Sequence, residues 1–198
     1  PVTQVRETLG VWSSPDGNSV ETLNKMSEKG QVWVDQAKEG KLRWQDVWLL
    51  MDIQFWPRVG YGICCNMAPH ARLEHALDKQ YYNMLPLGGV VRTAPAAVRQ
   101  VHRAFYGLGC PHPGIKCFQS QVSKLLMQYG CQSSLGKKMA ISVRALVLEL
   151  GLSSQPFQAS YARYKDWVTW SWMTSIWEKC SLYNVRIDIL DIELTFPH

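Results

Sequence analysis

Apolar residues recur every three or four positions along most of this 198-residue chain, in stretches that end at glycine or proline. This spacing puts the apolar side chains on one face of an α-helix, so it predicts a succession of amphipathic helices. Apolar residues make up 46% of the sequence, which is enough to bury a core. No run of 18 apolar residues occurs, so the sequence predicts no membrane span. The expected fold class is mainly α.

The positions of glycine, proline and apolar residues set the expected elements. The first helix follows residue 18 and stops at Gly40, and the second begins near Trp44 and ends or kinks at Pro57. Further helices are expected over residues 68–84, 94–105, 115–129, 137–150 and 158–180. Apolar residues in alternation predict a short strand at each end of the chain, over residues 5–12 and 185–194.

Charge is unevenly distributed along the chain. Residues 1–78 hold eight Lys or Arg against ten Asp or Glu, and residues 149–198 hold four against six. Residues 79–148, called the basic segment below, hold nine Lys or Arg and no Asp or Glu. A field of one sign attracts polyanions, of which the phosphate backbone of nucleic acid is the commonest. The sequence therefore predicts a nucleic-acid-binding surface, with a solvated basic face of no function as the alternative.

Motifs of enzyme chemistry are missing from the sequence. It contains no glycine-rich phosphate loop, no HExxH, no GxSxG, and no paired carboxylates spaced to hold two metal ions. Four residues with zinc-ligand side chains fall within 22 positions: Cys110, His112, Cys117 and Cys131. Their spacing matches no zinc motif, so a packed loop with buried thiols is the preferred interpretation. Neither a metal nor a cofactor is predicted in this chain.

The six cysteines favour a reducing environment. A chain of this size buries a core without cross-links, so buried free thiols are expected at all six positions. This cysteine usage is typical of an intracellular protein and does not distinguish nucleus from cytoplasm.

Aromatic residues are interleaved with the cations of the basic segment, as in platforms on which single-stranded bases stack. At helical spacing such residues are more typical of a hydrophobic core, which is the preferred interpretation. They are Tyr81, Tyr82, Phe105, Tyr106, Phe118 and Tyr129.

Several short motifs occur in a particular order. They are TLGVW at 8–12, PDGN at 15–18, LPLG at 85–88, GLGCPHPG at 107–114, KLL at 124–126, YG at 129–130, WMTS at 172–175 and WEK at 177–179. In this order they resemble the reverse transcriptases of non-LTR-type retroelements, in the segment that leaves the palm and enters the thumb. The resemblance covers nearly the whole chain.

The resemblance implies a helical thumb- and connection-like bundle with a short strand at each end. Residues 1–18 would be the end-of-palm strand and turn, 19–150 a helical thumb-like region, and 151–198 a connection-like helix and strand. Reverse transcriptases bind two Mg²⁺ ions on palm aspartates, including an Asp-Asp pair, which this sequence lacks. The chain would then be an excerpt that starts after the active site. It would adjoin the upstream palm of its parent and hold no polymerase activity or Mg²⁺ of its own.

Charge and resemblance together imply a non-catalytic portion that grips an RNA/DNA primer–template duplex. Leu9 and Gly10 would lie at or near the primer grip. Arg92, Arg99 and Arg103 are spaced to form one helical stripe. The predicted duplex contacts are Arg92, Arg99, Arg103, Lys116, Lys124, Lys137, Lys138 and Arg144. The alternative is a degenerate or domesticated helical protein-interaction module with no polymerase role.

Overall fold

A computed structural model describes residues 6–8, 11–13, 18–60, 62–110, 112–151 and 156–189. Helices account for most of these residues, which confirms the mainly α fold class. The α-helices are α1 (Val20–Glu39), α2 (Trp44–Leu50), α3 (Trp56–Gly60), α4 (His70–Leu87), α5 (Ala96–Gln100), α6 (Pro113–Gln128), α7 (Ser134–Leu150), α8 (Tyr161–Tyr164) and α9 (Trp172–Tyr183).

Packing divides the chain into two compact units, residues 1–119 and 120–198. The boundary falls inside α6, so that helix contributes residues to both units. The regions implied by the resemblance have their boundaries at residues 18 and 150. These boundaries separate parts with different proposed functions, and they stay predictions.

The expected strand over residues 5–12 is instead a small hairpin. Strands β1 (Arg6–Thr8) and β2 (Val11–Ser13) pair antiparallel, with Glu7 opposite Trp12. Pairing within the segment satisfies backbone groups that a lone strand would leave open. Leu9 and Gly10, which the resemblance assigns to the primer grip, lie outside the described residues, as does the PDG sequence at 15–17.

The core of the first unit forms where α1 packs on α4. Gln80 of α4 donates from its Nε2 to the hydroxyl of Ser27 on α1 at 2.8 Å. A Cβ at Gly30 would lie 3.2 Å from Gln80 Cγ, so the glycine permits this close approach. Trp33 of α1 meets Phe55 edge to face, with ring centroids 5.3 Å apart.

The chain passes Pro57 without leaving the helical path. A single π turn (Met51–Phe55) connects α2 to α3, and the N–H of Trp56 bonds to the carbonyl of Met51, five residues earlier. In an α-helix the Pro57 ring would clash with the carbonyl four residues before it, and its missing N–H would leave that carbonyl unpaired. The wider π turn absorbs this misfit just before the proline.

The helix expected over residues 94–105 is interrupted. It is divided into α5 and a separate 3₁₀ turn, Arg103–Phe105. Val101 and His102 between them have extended ψ angles of 139° and 145°. The β-branch of Val101 disfavours helix, and the His102 side chain accepts a hydrogen bond from the N–H of Ala104 at 3.2 Å. This local cap competes with continuation of α5.

The prediction of one long helix over residues 158–180 is wrong. The segment holds a 3₁₀ turn (Pro156–Gln158), the single turn α8, and then α9. Ser171 starts α9 with a capping box: its Oγ accepts from the N–H of Thr174 at 3.2 Å, and Thr174 Oγ1 accepts from the N–H of Ser171. This cap fixes the helix start, so Trp167 lies before α9.

The second unit packs α9 against α7 and α8. Trp177 of α9 is fully buried, and its Nε1 donates to the carbonyl of Ala159 at 2.8 Å. The ring of Tyr161 meets Trp177 edge to face, with centroids 5.2 Å apart. Val143 and Val147, one turn apart on α7, are also fully buried.

Residues 185–189 form no strand, although the sequence predicts one over residues 185–194. Ile187 and Ile189 are buried, so the alternation indicates which side chains face inward. A strand also needs a ladder of backbone hydrogen bonds to a neighbouring strand, and the sheet in the described part of the chain consists of β1 and β2 alone. Residues 190–194 are outside the described residues.

None of the helices in the described ranges combines the length and hydropathy needed to cross a bilayer.

Gly88 tests the packing at the end of α4. The Nε1 of Trp48 donates to the carbonyl of Gly88 at 2.8 Å, and a Cβ on Gly88 would lie 2.7 Å from the indole ring. We expect Gly88→Ala to lower the free energy of unfolding by about 1–3 kcal/mol, because the indole must move. Gly60→Ala is the control, since its Cβ would meet Ile63 at 3.7 Å. Urea unfolding measures both, and equal stabilities would contradict the expectation.

Candidate nucleic-acid interface

The eight predicted phosphate contacts differ in exposure. Seven keep access to solvent: Arg92, Arg103, Lys137, Lys138 and Arg144 are exposed, and Lys116 and Lys124 are half-buried. Arg99 is buried. Within the described residues, none of the eight has a carboxylate at ion-pair distance. Their charge is therefore uncompensated, as the acid-free sequence implies.

The three arginines expected to form one helical stripe do not share a helix. Arg92 lies in a turn before α5, Arg99 in α5, and Arg103 in the 3₁₀ turn after the break at residues 101–102. Tertiary contacts nevertheless bring Arg92 and Arg99 to the same end of α4. Arg92 Nη2 donates to Asn83 Oδ1 at 3.0 Å, and the Arg99 guanidinium lies over the ring of Tyr82, 5.0 Å from its centroid.

Arg99 is a buried cation with 7% of its surface exposed. Its Nε and Nη1 are shielded from solvent and have no hydrogen-bond partner among the described residues. The face of Tyr82 offers a cation–π contact, which contributes on the order of 0.5–2 kcal/mol. Burying a charge with unsatisfied N–H groups costs more than that. The hydrogen bond that Arg99 shares with the Tyr81 side chain leaves these two N–H groups unpaired, so the buried guanidinium lowers the stability of the fold.

The hydroxyl of Tyr81 donates to the carbonyl of Cys110 at 3.0 Å, next to Arg99. Burial raises the pKa of Tyr81 to about 12, although the nearby Arg99 acts in the opposite direction. Burial also raises the pKa of the Cys110 thiol to about 11, against the opposing charges of Arg103 and Arg99. Both groups therefore stay neutral at physiological pH and add no negative charge beside the arginines.

Lys116, on the first half of α6, also lies against an aromatic ring. Its Nζ is 5.9 Å from the centroid of Trp56. Like Arg99 over Tyr82, it is positioned by a π face instead of a carboxylate. Spacing in the sequence predicts neither pairing, because Tyr82 and Trp56 are far from their cations in the chain.

In the second unit, α7 carries the cations Lys137 and Arg144 seven residues apart, which places them along one side of the helix. The exposed Ile141 lies between them on the same side. Arg144 also lines an open groove of about 460 Å³. The other lining residues are Leu125, Leu126, Tyr129, Gly130, Ala140, Ile187, Asp188 and Ile189.

Among the four residues with zinc-ligand side chains, His112 is paired with carboxylates. His112 lies between two carboxylates of α4, with Nδ1 3.0 Å from Glu74 Oε1 and Nε2 2.9 Å from Asp78 Oδ1. His70 Nε2 is 2.7 Å from the same Glu74 oxygen. No group of three or more His, Cys, Asp or Glu side chains suited to a metal ion is found among the described residues.

No disulfide joins the six cysteines, all of which lie in the described ranges, but the prediction that all six are buried is wrong. Cys110, Cys117 and Cys180 are buried, whereas Cys65 and Cys131 are exposed and Cys64 is half-buried.

The aromatic residues of the basic segment also differ in exposure. Tyr81 and Phe118 are buried, as expected for a core, and Tyr82 and Tyr129 are half-buried. The expectation is wrong for Phe105 and Tyr106, which are exposed. Because the helix predicted over 94–105 breaks at Val101, Phe105 leaves the helical face on which the sequence pattern placed it, and Tyr106 lies in the turn that follows.

Comparisons with known proteins find no match: no family model matches the sequence, and no curated protein or solved structure shows significant similarity to it.

Arg99 provides a test of the buried charge. We expect Arg99→Met, which keeps the apolar stem and removes the guanidinium, to raise the free energy of unfolding by about 1–3 kcal/mol. Arg58→Met is the control, since the Arg58 side chain is exposed and substitutions at such positions change stability by less than about 0.5 kcal/mol. Chemical denaturation measures both. A loss of stability in Arg99→Met would show that the guanidinium is satisfied in the fold.

Alkaline pH provides a test of Tyr81 and Cys110. Both have folded-state pKa values raised above their ordinary values of 10.0 and 9.0. Their stabilising contribution is therefore complete below about pH 9 and is lost as the pH rises toward 11 and 12. We expect the free energy of unfolding to fall over this range, and less steeply in Cys110→Ala. Cys131→Ala, at an exposed thiol, is the control, and equal slopes in both variants would contradict the assignment.

Proposed function

We propose that this chain is the primer–template-gripping, nucleic-acid-binding portion of a retroelement RNA-directed DNA polymerase. The observation that carries the proposal is the basic segment, in which 70 residues hold nine cations and no carboxylate. Seven of the eight cations assigned to the duplex have access to solvent and lack ion-pair partners among the described residues. The resemblance of the ordered sequence motifs to reverse transcriptases supports the choice of polymerase.

The chemistry of a duplex grip fits these cations. Contacts to phosphate oxygens position a protein on nucleic acid without reading its sequence, and they gain free energy by releasing counterions. In the first unit, Arg92 and Lys116 are oriented by Asn83 and by the face of Trp56. In the second unit, Lys137 and Arg144 lie along one side of α7. Fixed cations lose little side-chain entropy on binding phosphate.

In this proposal the chain has no polymerase activity of its own. The Mg²⁺ ions and the catalytic aspartates belong to the palm of the parent chain, which is the protein partner of this segment. Leu9 and Gly10 are proposed to approach the primer terminus. The proposed location is intracellular, because a nucleic-acid partner and six cysteines without a disulfide among the described residues both favour a reducing compartment.

A helical protein-interaction module is the second candidate. Exposed apolar residues in the second unit favour it: Leu126 on α6 and Ile141 and Leu148 on α7 face solvent, and Leu126 also lines the groove beside Arg144. Such a surface buries apolar area against a partner helix, and its binding depends little on salt. The two candidates therefore differ in ionic-strength dependence.

Salt dependence tests the proposal. We expect the chain to bind duplex DNA and an RNA–DNA hybrid, with log K falling linearly as log salt rises. Each phosphate that the protein no longer neutralises reduces that slope by about 0.9 on B-form DNA, so the triple variant Lys137→Ala, Lys138→Ala, Arg144→Ala should reduce it by about 2–3. Fluorescence anisotropy titrations over a range of salt concentrations measure the slope.

The matched control removes the same charge elsewhere. Lys29→Ala, Lys165→Ala, Arg186→Ala lies outside the basic segment and should change the slope little. Equal slopes in the two triple variants would reject the assignment of the phosphate contacts to α7. Absence of duplex binding at low salt would reject the proposed function.

A further inference from the structure

Two exposed aromatic side chains stand at the tip of one loop of the first unit. Tyr106 is 100% exposed and Phe105 is 76% exposed, whereas Tyr81 and Phe55 of the same unit are buried. We call residues 102–107 the aromatic tip. Large apolar rings normally gain free energy by burial, so an exposed pair is typical of a binding surface.

The aromatic tip stands on a stem held by backbone hydrogen bonds. The N–H groups of Leu108 and Cys110 donate to the carbonyls of Val98 and Arg99, each at 2.8 Å. A Cβ on Gly107 would lie 2.0 Å from the carbonyl oxygen of Val101, so the two sides of the stem approach as closely as the backbone allows. The rings are thus presented by a hydrogen-bonded scaffold.

Tyr106 occupies the left-handed region, with φ of 62°. For a bulky L-residue this conformation is strained by about 1–3 kcal/mol, whereas Gly or Asn would adopt it at lower cost. Among the described residues, the fully exposed tyrosine ring has no contact that offsets this strain. A strained, exposed aromatic residue is therefore better explained by a ligand than by stability.

The charge around the aromatic tip selects the ligand. The exposed Arg103 lies within it, and the whole basic segment contains no carboxylate. Aromatic faces beside cations bind unpaired bases, because every base offers a π face and every nucleotide a phosphate. A duplex offers its stacked bases only at an end or an overhang.

We propose that the aromatic tip stacks on unpaired bases next to the gripped duplex, so that the chain recognises a duplex with a single-stranded extension. The inference rests on the proposed nucleic-acid-binding function and specifies its substrate as a junction of double-stranded and single-stranded nucleic acid. Phe105 and Tyr106 supply the stacking surfaces, and Arg103 supplies a phosphate contact.

The experiment measures the affinity of the full chain for three RNA–DNA hybrids. One is blunt, one carries a short single-stranded overhang, and one carries an overhang of the same length made of abasic nucleotides. We expect the base-containing overhang to bind more tightly than the other two. The double variant Phe105→Ala, Tyr106→Asn should lose this gain, by about 5- to 150-fold per stacked base, and leave binding of the blunt hybrid unchanged. Asparagine tolerates the left-handed conformation, so the loop should keep its fold.

Two further variants separate stacking from other effects. Phe105→Trp keeps an aromatic face and should retain the overhang gain. Trp167→Ala removes an exposed aromatic residue of comparable exposure, 79%, from outside the basic segment, and should bind all three hybrids like the original chain. Far-UV circular dichroism confirms that the helices persist in each variant.

The inference is overturned if the overhang adds no affinity, if the abasic overhang binds as well, or if the double variant keeps the gain. It is also overturned if the double variant changes the oligomeric state but not overhang binding, since the tip would then be a protein contact. Absence of blunt-hybrid binding in the unmodified chain would reject the duplex grip instead. In that case, overhang binding that depends on Phe105 and Tyr106 would still support stacking.

Discussion

The hydrogen bond from the Tyr81 hydroxyl to the carbonyl of Cys110 fixes the loop of the first unit on its helical core. The ring of Tyr81 is fully buried on α4 and meets His112 edge to face at 5.4 Å. Cys110 in turn donates its N–H to the carbonyl of Arg99, so the buried hydroxyl determines the path of both sides of the loop stem. The placement of Arg99 and of the aromatic tip depends on this contact. A buried phenol at this point is strongly constrained, because its loss would leave a buried carbonyl unpaired.

Around this contact, cations and anions are held in different ways. His112 lies between Glu74 and Asp78, so the last two carboxylates before the basic segment have partners of their own. Arg99 and Lys116 lie over the rings of Tyr82 and Trp56 instead of against carboxylates. An aromatic face attracts a cation without cancelling its charge. Among the described residues, the two cations therefore keep their charge without a carboxylate partner.

The helices that follow the simple apolar spacing were predictable. On α7, the buried Met139, Val143 and Val147 recur at intervals of four, as the sequence pattern indicates. Predictions failed where local hydrogen bonds competed with the helix. The His102 and Ser171 side chains cap the turns that follow them, which ended one expected helix early and started another late. At Pro57, where the helix was expected to end or kink, a π turn keeps the chain on its helical path. Apolar periodicity reports which face is buried and not which backbone groups are paired, so it does not locate such interruptions.

The sequence by itself determined the helical class and the acid-free basic segment, because periodicity and charge are properties of residue order alone. Only the tertiary structure decided which individual residues of the basic segment are buried and which are exposed. It buried Arg99 on Tyr82 and exposed Phe105 and Tyr106, contrary to the stripe and the core that their spacing suggested. Exposure depends on how separate elements pack, and Tyr82 and Arg99 are 17 positions apart on different helices. No local pattern carries that information, since a contact between elements is set by the fold of the whole unit.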